Sequence, residues 1–138
     1  MSNRPSGLST PLRWLRVISD IKDKPVFSGG PNFAYDLCVH RITPAKRETL
    51  DLSNWLVAFN GSEPIRRETL ERFTEAFEPC GFRREAFYPC YGLAEATLLV
   101  SGGDKAALPV IQRIQREPLK RNEVVTASDR DIGTQVLV

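Results

Sequence analysis

Three short, continuous apolar runs alternate with stretches of helical periodicity along the chain. The runs are Pro25–Ser28, Trp55–Phe59 and Ala86–Cys90. A continuous apolar run, in contrast to an alternating one, is typical of a strand buried on both faces of a parallel sheet. Because a glycine-bearing turn follows each run, the pattern predicts three strands that end at Gly29–Gly30, Asn60–Gly61 and Tyr91–Gly92.

Helices are predicted before and between these strands. Thr10–Pro11 opens the first helix, since proline is tolerated at the first helical position. The second helix begins at Pro31 and ends at Thr43–Pro44, where a short helix to about Leu50 follows. The third begins near Ser62 or Pro64 and ends at Pro79. The apolar residues expected to pack inward are Leu12, Leu15, Ile18 and Ile21 in the first helix, Phe33, Leu37 and Cys38 in the second, and Ile65, Leu70, Phe73 and Phe77 in the third.

Strand, helix, strand, helix, strand predicts an α/β fold with a parallel βαβαβ sheet and right-handed crossovers. Ligands of such sheets bind beyond the carboxyl ends of the strands, so the three glycine-bearing turns are expected along one edge. From Gly102 the pattern changes to short strand-like pieces at 110–114, 123–126 and 135–138. The chain is thus divided into a disordered start (1–10), an α/β unit (11–101) and a small β-rich tail (102–138).

Composition and charge exclude several classes of protein. The 138 residues are 41% apolar and carry a net charge of +2, which is not the basic excess of a dedicated nucleic-acid binder. The longest apolar runs have five residues, far short of the roughly 20 that a membrane span needs. With no apolar leader at the N-terminus and three irregularly spaced cysteines, a cytoplasmic location with reduced thiols is expected.

The stretch Tyr91-Gly92-Leu93-Ala94-Glu95 carries the strongest candidate chemistry. A tyrosine at a strand end offers a flat face to a purine, and a carboxylate four residues later can reach a phosphate-bound magnesium ion. A plain strand-to-helix junction explains the same residues, because acidic residues favour helix N-termini. The local sequence alone favours the plain junction.

Two further turns carry polar or glycine residues. Asn60-Gly61-Ser62-Glu63 could bind the edge of a base, although Ser62 or Glu63 could equally cap the next helix. The turn at Ser28–Phe33 matches no phosphate-loop motif and could form a pocket wall. The only histidine, His40, lacks both a paired nucleophile and enough partners for a zinc site.

These pieces together resemble the fatty acyl-AMP ligases of the adenylate-forming superfamily. The matching stretches, in order, are Ser28–Cys38, Leu50–Ser53 with Trp55, Ala58–Pro64 and Phe87–Leu98. The resemblance covers roughly residues 11 to 138 and implies the βαβαβ part of the large N-terminal domain of such an enzyme.

The resemblance implies a two-step, ATP-dependent reaction. A long-chain fatty acid attacks the α-phosphate of ATP, giving acyl-adenylate and pyrophosphate, and the acyl group then passes to the phosphopantetheine thiol of an acyl carrier protein. Carried over by position, the adenine-side residues are Asn60, Gly61, Ser62, Glu63, Tyr91, Gly92, Leu93 and Ala94. Glu95 corresponds to the catalytic magnesium and phosphate ligand, and the acyl-pocket wall to Gly29, Pro31, Asn32 and Phe33. Ala94 replaces the threonine of many superfamily members.

Other features of the family bear on what the chain can do alone. Residues 102 to about 130 resemble an insertion that disfavours transfer to coenzyme A, although a solvated surface hairpin explains them as well. The phosphate loop, the ribose-binding aspartate and the C-terminal catalytic lysine of the family do not occur in the sequence. The 138-residue chain is therefore expected to need the remaining parts of a ligase for activity. The alternatives are a non-catalytic remnant that serves as a binding module, and part of a peptide-synthetase adenylation domain.

Overall fold

The computed structural model describes residues 10–92, 99 and 101–138. The predicted disordered start therefore lies almost entirely outside the described residues. In chain order the elements are α1 (Pro11–Asp20), β1 (Val26–Gly30), α2 (Asn32–Arg41), α3 (Pro44–Arg47), β2 (Trp55–Asn60), α4 (Arg67–Phe77), β3 (Phe87–Tyr91), β4 (Ser101–Gly102), β5 (Gln112–Gln115), α5 (Arg116–Leu119) and β6 (Thr134–Leu137). None of the helices among these residues has the length and apolar character needed to cross a bilayer.

The main sheet confirms the predicted α/β fold. Its strand order is β1-β2-β3-β4, with β1–β2 and β2–β3 parallel and the short β4 antiparallel to β3. The α2 helix connects β1 to β2, and α4 connects β2 to β3, as a βαβαβ unit requires. The carboxyl ends of β1, β2 and β3 therefore lie at the same edge of the sheet.

A single aromatic cluster forms the core between the sheet and the helices. Leu70, Phe73 and Phe77 of α4 are fully buried, as their helical spacing predicts. The prediction for α2 is wrong in one respect: Phe33 is 43% exposed, and the buried side chains are Asn32, Ala34, Tyr35 and Cys38. The Tyr35 ring lies among those of Trp14, Trp55, Phe73 and Phe87, with centroids 5.1 to 6.2 Å away.

The other sheet face is only partly covered. The register Phe27↔Val57 and Gly29↔Phe59↔Tyr88 places these residues on one face. Phe27 is 51% exposed and Phe59 37%, so the prediction of strands buried on both faces fails at these positions.

Two element boundaries differ from the predicted ones at glycine-bearing turns. Gly29 and Gly30 continue β1, where they pair with Phe59 and Asn60, instead of ending the strand. The third helix begins at Arg67, not near Ser62, because Ser62 has a φ of 68° and lies in the left-handed region that a right-handed helix cannot include. The prediction that Ser62 or Glu63 caps this helix is therefore wrong.

The tail forms a small antiparallel sheet of its own. The β5 and β6 strands pair over four residues each, whereas the strand predicted at 123–126 is reduced to a single bridge between Thr126 and Ile114. Ile114 is fully buried, and Val138 packs against the main core. The tail thus contacts the α/β unit close to β3.

Candidate functional site

The turn after β2 and the strand β3 line a cavity of about 590 Å³. Glu63, from the turn after β2, and Tyr91, at the end of β3, both line this cavity. The tail closes its other side through a short apolar stretch, Ala107–Val110, and through Val138. Two of the predicted site residues, which are 28 positions apart in sequence, are thereby brought to one concave surface.

Tyr91 presents an accessible ring at this edge. Its side chain is 55% exposed, and Gly92 beside it is exposed as well. An exposed aromatic ring with an open backbone next to it can stack on a planar ligand. Leu93, Ala94 and Glu95 lie outside the described residues.

The turn after β2 passes close to the end of β3 at Gly61. A β-carbon at Gly61 would lie 2.7 Å from the Cys90 carbonyl oxygen and 2.9 Å from its sulfur, distances that real β-carbons do not reach. Only glycine fits at this position without movement of β3. The close approach holds the Asn60–Glu63 turn against the strand that carries Tyr91.

Asn60, the last residue of β2, is an unsatisfied polar residue in the interior. Its side chain is fully buried, and among the described residues neither its amide nitrogen nor its amide oxygen has a hydrogen-bond partner. Leaving such a group unpaired costs about 1 to 3 kcal/mol. A buried polar group that has no partner among the described residues favours a functional role for this strand end.

Glu63 joins the turns that follow β1 and β2. Its Oε1 accepts a hydrogen bond of 2.6 Å from the backbone N–H of Phe33, at the start of α2. The predicted adenine-side turn and the predicted acyl-pocket wall are therefore in direct contact. Because this bond joins two turns that are 30 residues apart in sequence, a shift of either turn would strain or break it.

The Asn32 side chain is engaged inside the protein. It donates to Thr69 Oγ1 over 2.9 Å and accepts from the backbone N–H of Arg66 over 3.1 Å, which satisfies an otherwise unpaired donor at the start of α4. Thr69 in turn donates to Asp36, which also forms a 2.9 Å ion pair with Arg72. This network fixes α2 to α4.

Of the predicted acyl-wall residues, Phe33 and Gly29 are exposed and Pro31 is half-buried.

Tyr35 supports the end of β2 from the core side of the sheet. The sequence pattern did not predict this role. Its hydroxyl donates to the backbone carbonyl of Phe59, near the end of β2, over 2.5 Å. Burial, assisted by the neighbouring Cys38, raises the pKa of the Tyr35 phenol well above its usual value. Tyr35 is therefore a permanent neutral donor at physiological pH. Its spacing from Cys38 could have signalled the buried helix face, since residues three apart lie on one side of a helix.

Two tryptophans hold the carboxyl half of β1. Trp14 Nε1 donates to Ser28 Oγ over 3.0 Å, and Trp55 Nε1 lies within hydrogen-bond distance of the Ser28 carbonyl oxygen, 3.1 Å away. The first turns of α1 therefore pack beside the part of β1 that leads into the site. These contacts join residues that are 14 and 27 positions apart in sequence, and no local sequence pattern predicts them.

The thiols of Cys90, which lines the cavity, and of the buried Cys38 are not activated as nucleophiles. Burial raises the pKa of the Cys90 thiol, and it raises that of Cys38 to about 12. Both cysteines are thus neutral thiols near pH 7 and unreactive as thiolates. His40 lies exposed on α2, with Nδ1 2.7 Å from the Asp36 backbone oxygen, and no group of three or more His, Cys, Asp or Glu side chains within the described ranges could hold a metal ion.

Substituting Glu63 with alanine is expected to loosen the turn at Phe33. Without its acceptor, the Phe33 amide should exchange with solvent about fivefold to tenfold faster, the range expected for one hydrogen bond. Hydrogen exchange followed by NMR measures this rate. The Glu63→Gln variant keeps an acceptor oxygen and should exchange nearly as slowly as the unchanged protein. Glu75→Ala, which removes an exposed carboxylate from α4, is the control, and equal rates in Glu63→Ala and Glu75→Ala would refute the role of this bond.

Comparison with known proteins adds the family. No protein-family model matches the chain. Over 118 residues it is 49% identical to the medium-chain-fatty-acid–[acyl-carrier-protein] ligase JamA of Moorena producens, a match that covers 86% of this chain and 20% of that protein. The corresponding ligase TtuA of Teredinibacter turnerae is 43% identical over 124 residues, covering 90% of this chain and 19% of that protein. The chain spans about a fifth of the length of these curated relatives.

Solved structures agree with the sequence matches. A fatty acyl-adenylate ligase from L. pneumophila, in complex with acyl adenylate and pyrophosphate, superposes with a TM-score of 0.84 at 50% identity, covering 94% of this chain and 22% of that one. An adenylation domain of a keto acid-selecting peptide synthetase has a TM-score of 0.75 at only 22% identity, which shows a shared fold alone. The peptide-synthetase alternative is therefore not favoured. With this identity and structural agreement, the chain corresponds to one segment of a fatty acyl-AMP ligase and belongs to that family within the AMP-binding superfamily.

Proposed function

We propose that the chain supplies the adenylate-binding edge of a fatty acyl-AMP ligase. In this reaction a carboxylate oxygen of the fatty acid attacks the α-phosphorus of ATP, the bond to the β-phosphate breaks, and pyrophosphate leaves. The acyl-adenylate formed then reacts with the phosphopantetheine thiol of an acyl carrier protein, which releases AMP. The observation that carries the proposal is the cavity shared by Glu63 and Tyr91 at the carboxyl edge of the sheet.

In this proposal the adenine lies between the turns after β2 and β3. The Tyr91 ring, 55% exposed, offers the stacking face, and Gly92 leaves its backbone open to the nucleotide. The Asn60 amide, buried and unpaired among the described residues, fits a role in fixing this strand end when a base is bound. Gly61 and Ser62 set the path of the turn, and Leu93 and Ala94 are proposed as nucleotide-binding residues by their correspondence to the family.

In this proposal the acyl chain lies against the neighbouring segment from the end of β1 to the start of α2. Gly29 near the end of β1 and Phe33 in the first turn of α2 are exposed, and Pro31 between them is half-buried. The exposed Phe33 ring provides apolar area for a lipid chain. Asn32 acts from behind this wall, through its bonds to Thr69 and Arg66. The carboxyl end of the fatty acid is proposed to lie next to the nucleotide, and the contact between Glu63 and Phe33 supports this arrangement.

Magnesium is the expected metal, and Glu95 is its proposed ligand. Glu95 would hold a magnesium ion that is also bound to the ATP phosphates, and the ion would neutralise charge on the leaving pyrophosphate. The residues described here contribute no metal cluster of their own. The remaining parts of the ligase would supply the cationic phosphate loop and the catalytic lysine.

A chimeric enzyme tests this proposal. In it, the matching segment of the L. pneumophila ligase is replaced by this chain, and fatty-acid-dependent exchange of pyrophosphate into ATP is measured. We expect exchange in the chimera and none above background from the isolated chain. In the chimera, Tyr91→Ala is expected to raise the KM for ATP about tenfold or more, because aromatic stacking of a base is worth about 1 to 3 kcal/mol.

The control and the opposing outcome are equally specific. Val124→Ala removes an exposed apolar side chain from the tail, away from the cavity lining, and should leave the exchange unchanged. A folded chimera without exchange would favour the non-catalytic remnant. Exchange by the isolated chain would refute the need for the remaining parts.

A further inference from the structure

A basic groove runs along the outer side of α1, away from the cavity beside Tyr91. We define it by its four cations, Arg13, Arg16, Arg41 and Lys46, which line a cleft of about 720 Å³ together with a single carboxylate, Asp20. All four cations are exposed. The groove thus concentrates positive charge on a chain whose net charge is only +2.

The cations of the basic groove are not used within the described part of the protein. None of them appears in an ion pair or donates a side-chain hydrogen bond there. Residues 1–9, which precede the groove in sequence, contain no acidic residue that could neutralise it. A cluster of like charges without counter-charges creates an electrostatic field that attracts partners of opposite charge.

The position of Arg13 argues against a purely local purpose. It lies in the first turn of α1, which contains no acidic residue. Cations at a helix N-terminus oppose the helix dipole and reduce helix stability. A favourable interaction outside the helix would explain why arginine occupies this turn.

The dimensions of the basic groove suit a helical partner. It follows α1 over its ten residues, a length of about 15 Å at 1.5 Å per residue. Exposed Val17 and the half-buried Leu12 provide apolar contacts between the charges. A partner helix of about three turns, with carboxylates three or four residues apart, would place one acid against each cation.

We infer that the basic groove is the docking surface for an acidic helix of the acyl carrier protein. This inference rests on the proposed function, in which such a carrier receives the acyl group. The hydrogen bond from Trp14 to Ser28 fixes the N-terminal end of α1 beside the carboxyl half of β1. A carrier bound along α1 would therefore lie at the side of the sheet edge on which the acyl-pocket wall is proposed.

Binding of a phosphopantetheinylated acyl carrier protein of net negative charge to the purified chain tests the inference. We expect the double charge reversal Arg13→Glu/Arg16→Glu to weaken the affinity at least about tenfold, and binding by the unchanged chain to weaken as salt rises from about 50 to about 300 mM. The matched control, Lys24→Glu/Arg83→Glu, makes the same charge change at a cleft near the amino ends of the strands. It should alter the affinity less than about twofold.

A second variant keeps the test decisive if the first fails to fold. Arg41→Glu/Lys46→Glu reverses the other half of the basic groove on different elements, and circular dichroism reports whether each variant is folded. Equal weakening by the control pair, unaltered binding by both groove variants, or preferential capture of RNA over the carrier protein would overturn the inference. Because binding is measured without ATP or fatty acid, its failure is distinguishable from failure of the adenylation proposal.

Discussion

Replacing Phe73 with alanine is expected to lower the free energy of unfolding by about 3 to 5 kcal/mol. The Phe73 side chain is fully buried at the centre of the aromatic cluster. Its ring lies 4.5 Å from that of Phe77, 4.9 Å from Phe82 and 5.1 Å from Tyr35, measured between centroids. Truncation removes these contacts together and leaves a cavity that rigid neighbouring rings cannot fill.

Urea denaturation followed by tryptophan fluorescence measures this loss. Phe27→Ala is the matched control, because the Phe27 ring is 51% exposed and its replacement should cost less than about 1 kcal/mol. Phe73→Leu retains part of the volume and should fall between the two, which keeps the comparison possible if the alanine variant does not fold. A loss below about 1 kcal/mol for Phe73→Ala would contradict the central role of this ring.

Phe73 also illustrates what the sequence could predict. The spacing of Leu70, Phe73 and Phe77 follows the helical period, so α4 and its buried face were predictable from local pattern alone. The residue of α2 that contacts Phe73 was not predictable in this way. Phe33 is the more apolar candidate, but the residue in contact is Tyr35, which carries a polar hydroxyl. Tyr35 is buried because its hydroxyl finds the Phe59 carbonyl, a partner 24 residues away.

The candidate site divides in the same way. Glycine-bearing turns after apolar runs predicted which loops meet at the sheet edge, because parallel strands share one carboxyl edge. The bond from Phe33 N–H to Glu63 and the bonds of Asn32 to α4 join residues 30 to 37 positions apart. Local pattern favoured a helix cap at Ser62–Glu63, and only the left-handed φ of Ser62 excludes it.

The main sheet was predictable to within a few residues, whereas the tail was not. Strands β1 to β3 are apolar runs that each bury residues in the core, among them Val26, Trp55 and Phe87, and such a run is a strong signal. Among the tail residues whose burial the structure describes, Ile114 alone is fully buried, and the exposed Val110, Val124 and Ile132 have no core to fill. Short apolar runs of this kind have the same local pattern as strands. The sequence therefore predicts a strand at residues 123–126, where the structure has a single bridge between Thr126 and Ile114.

Gly29→Ala is expected to destabilise the protein by about 3 kcal/mol, at the upper end of the usual cost of adding a methyl group to a packed site. A β-carbon at Gly29 would lie 2.2 Å from the Phe59 carbonyl oxygen and 2.6 Å from its α-carbon. Both are backbone atoms, so relief requires β1 and β2 to separate where they pair. The Phe59 carbonyl also accepts the Tyr35 hydrogen bond, which the separation would strain.

Gly103→Ala makes the same chemical change where a β-carbon meets nothing within 4 Å, and its unfolding should match that of the unchanged protein. Urea unfolding of the two variants gives the difference, and hydrogen exchange of the β1 amides locates it. The steric argument fails if Gly29→Ala unfolds like Gly103→Ala. The substitution also affects the proposed acyl wall, because Gly29 leads directly into the turn at Pro31 and Phe33. Separation of β1 from β2 would pull that turn away from Glu63. Faster hydrogen exchange of the Phe33 amide should therefore accompany the loss of stability.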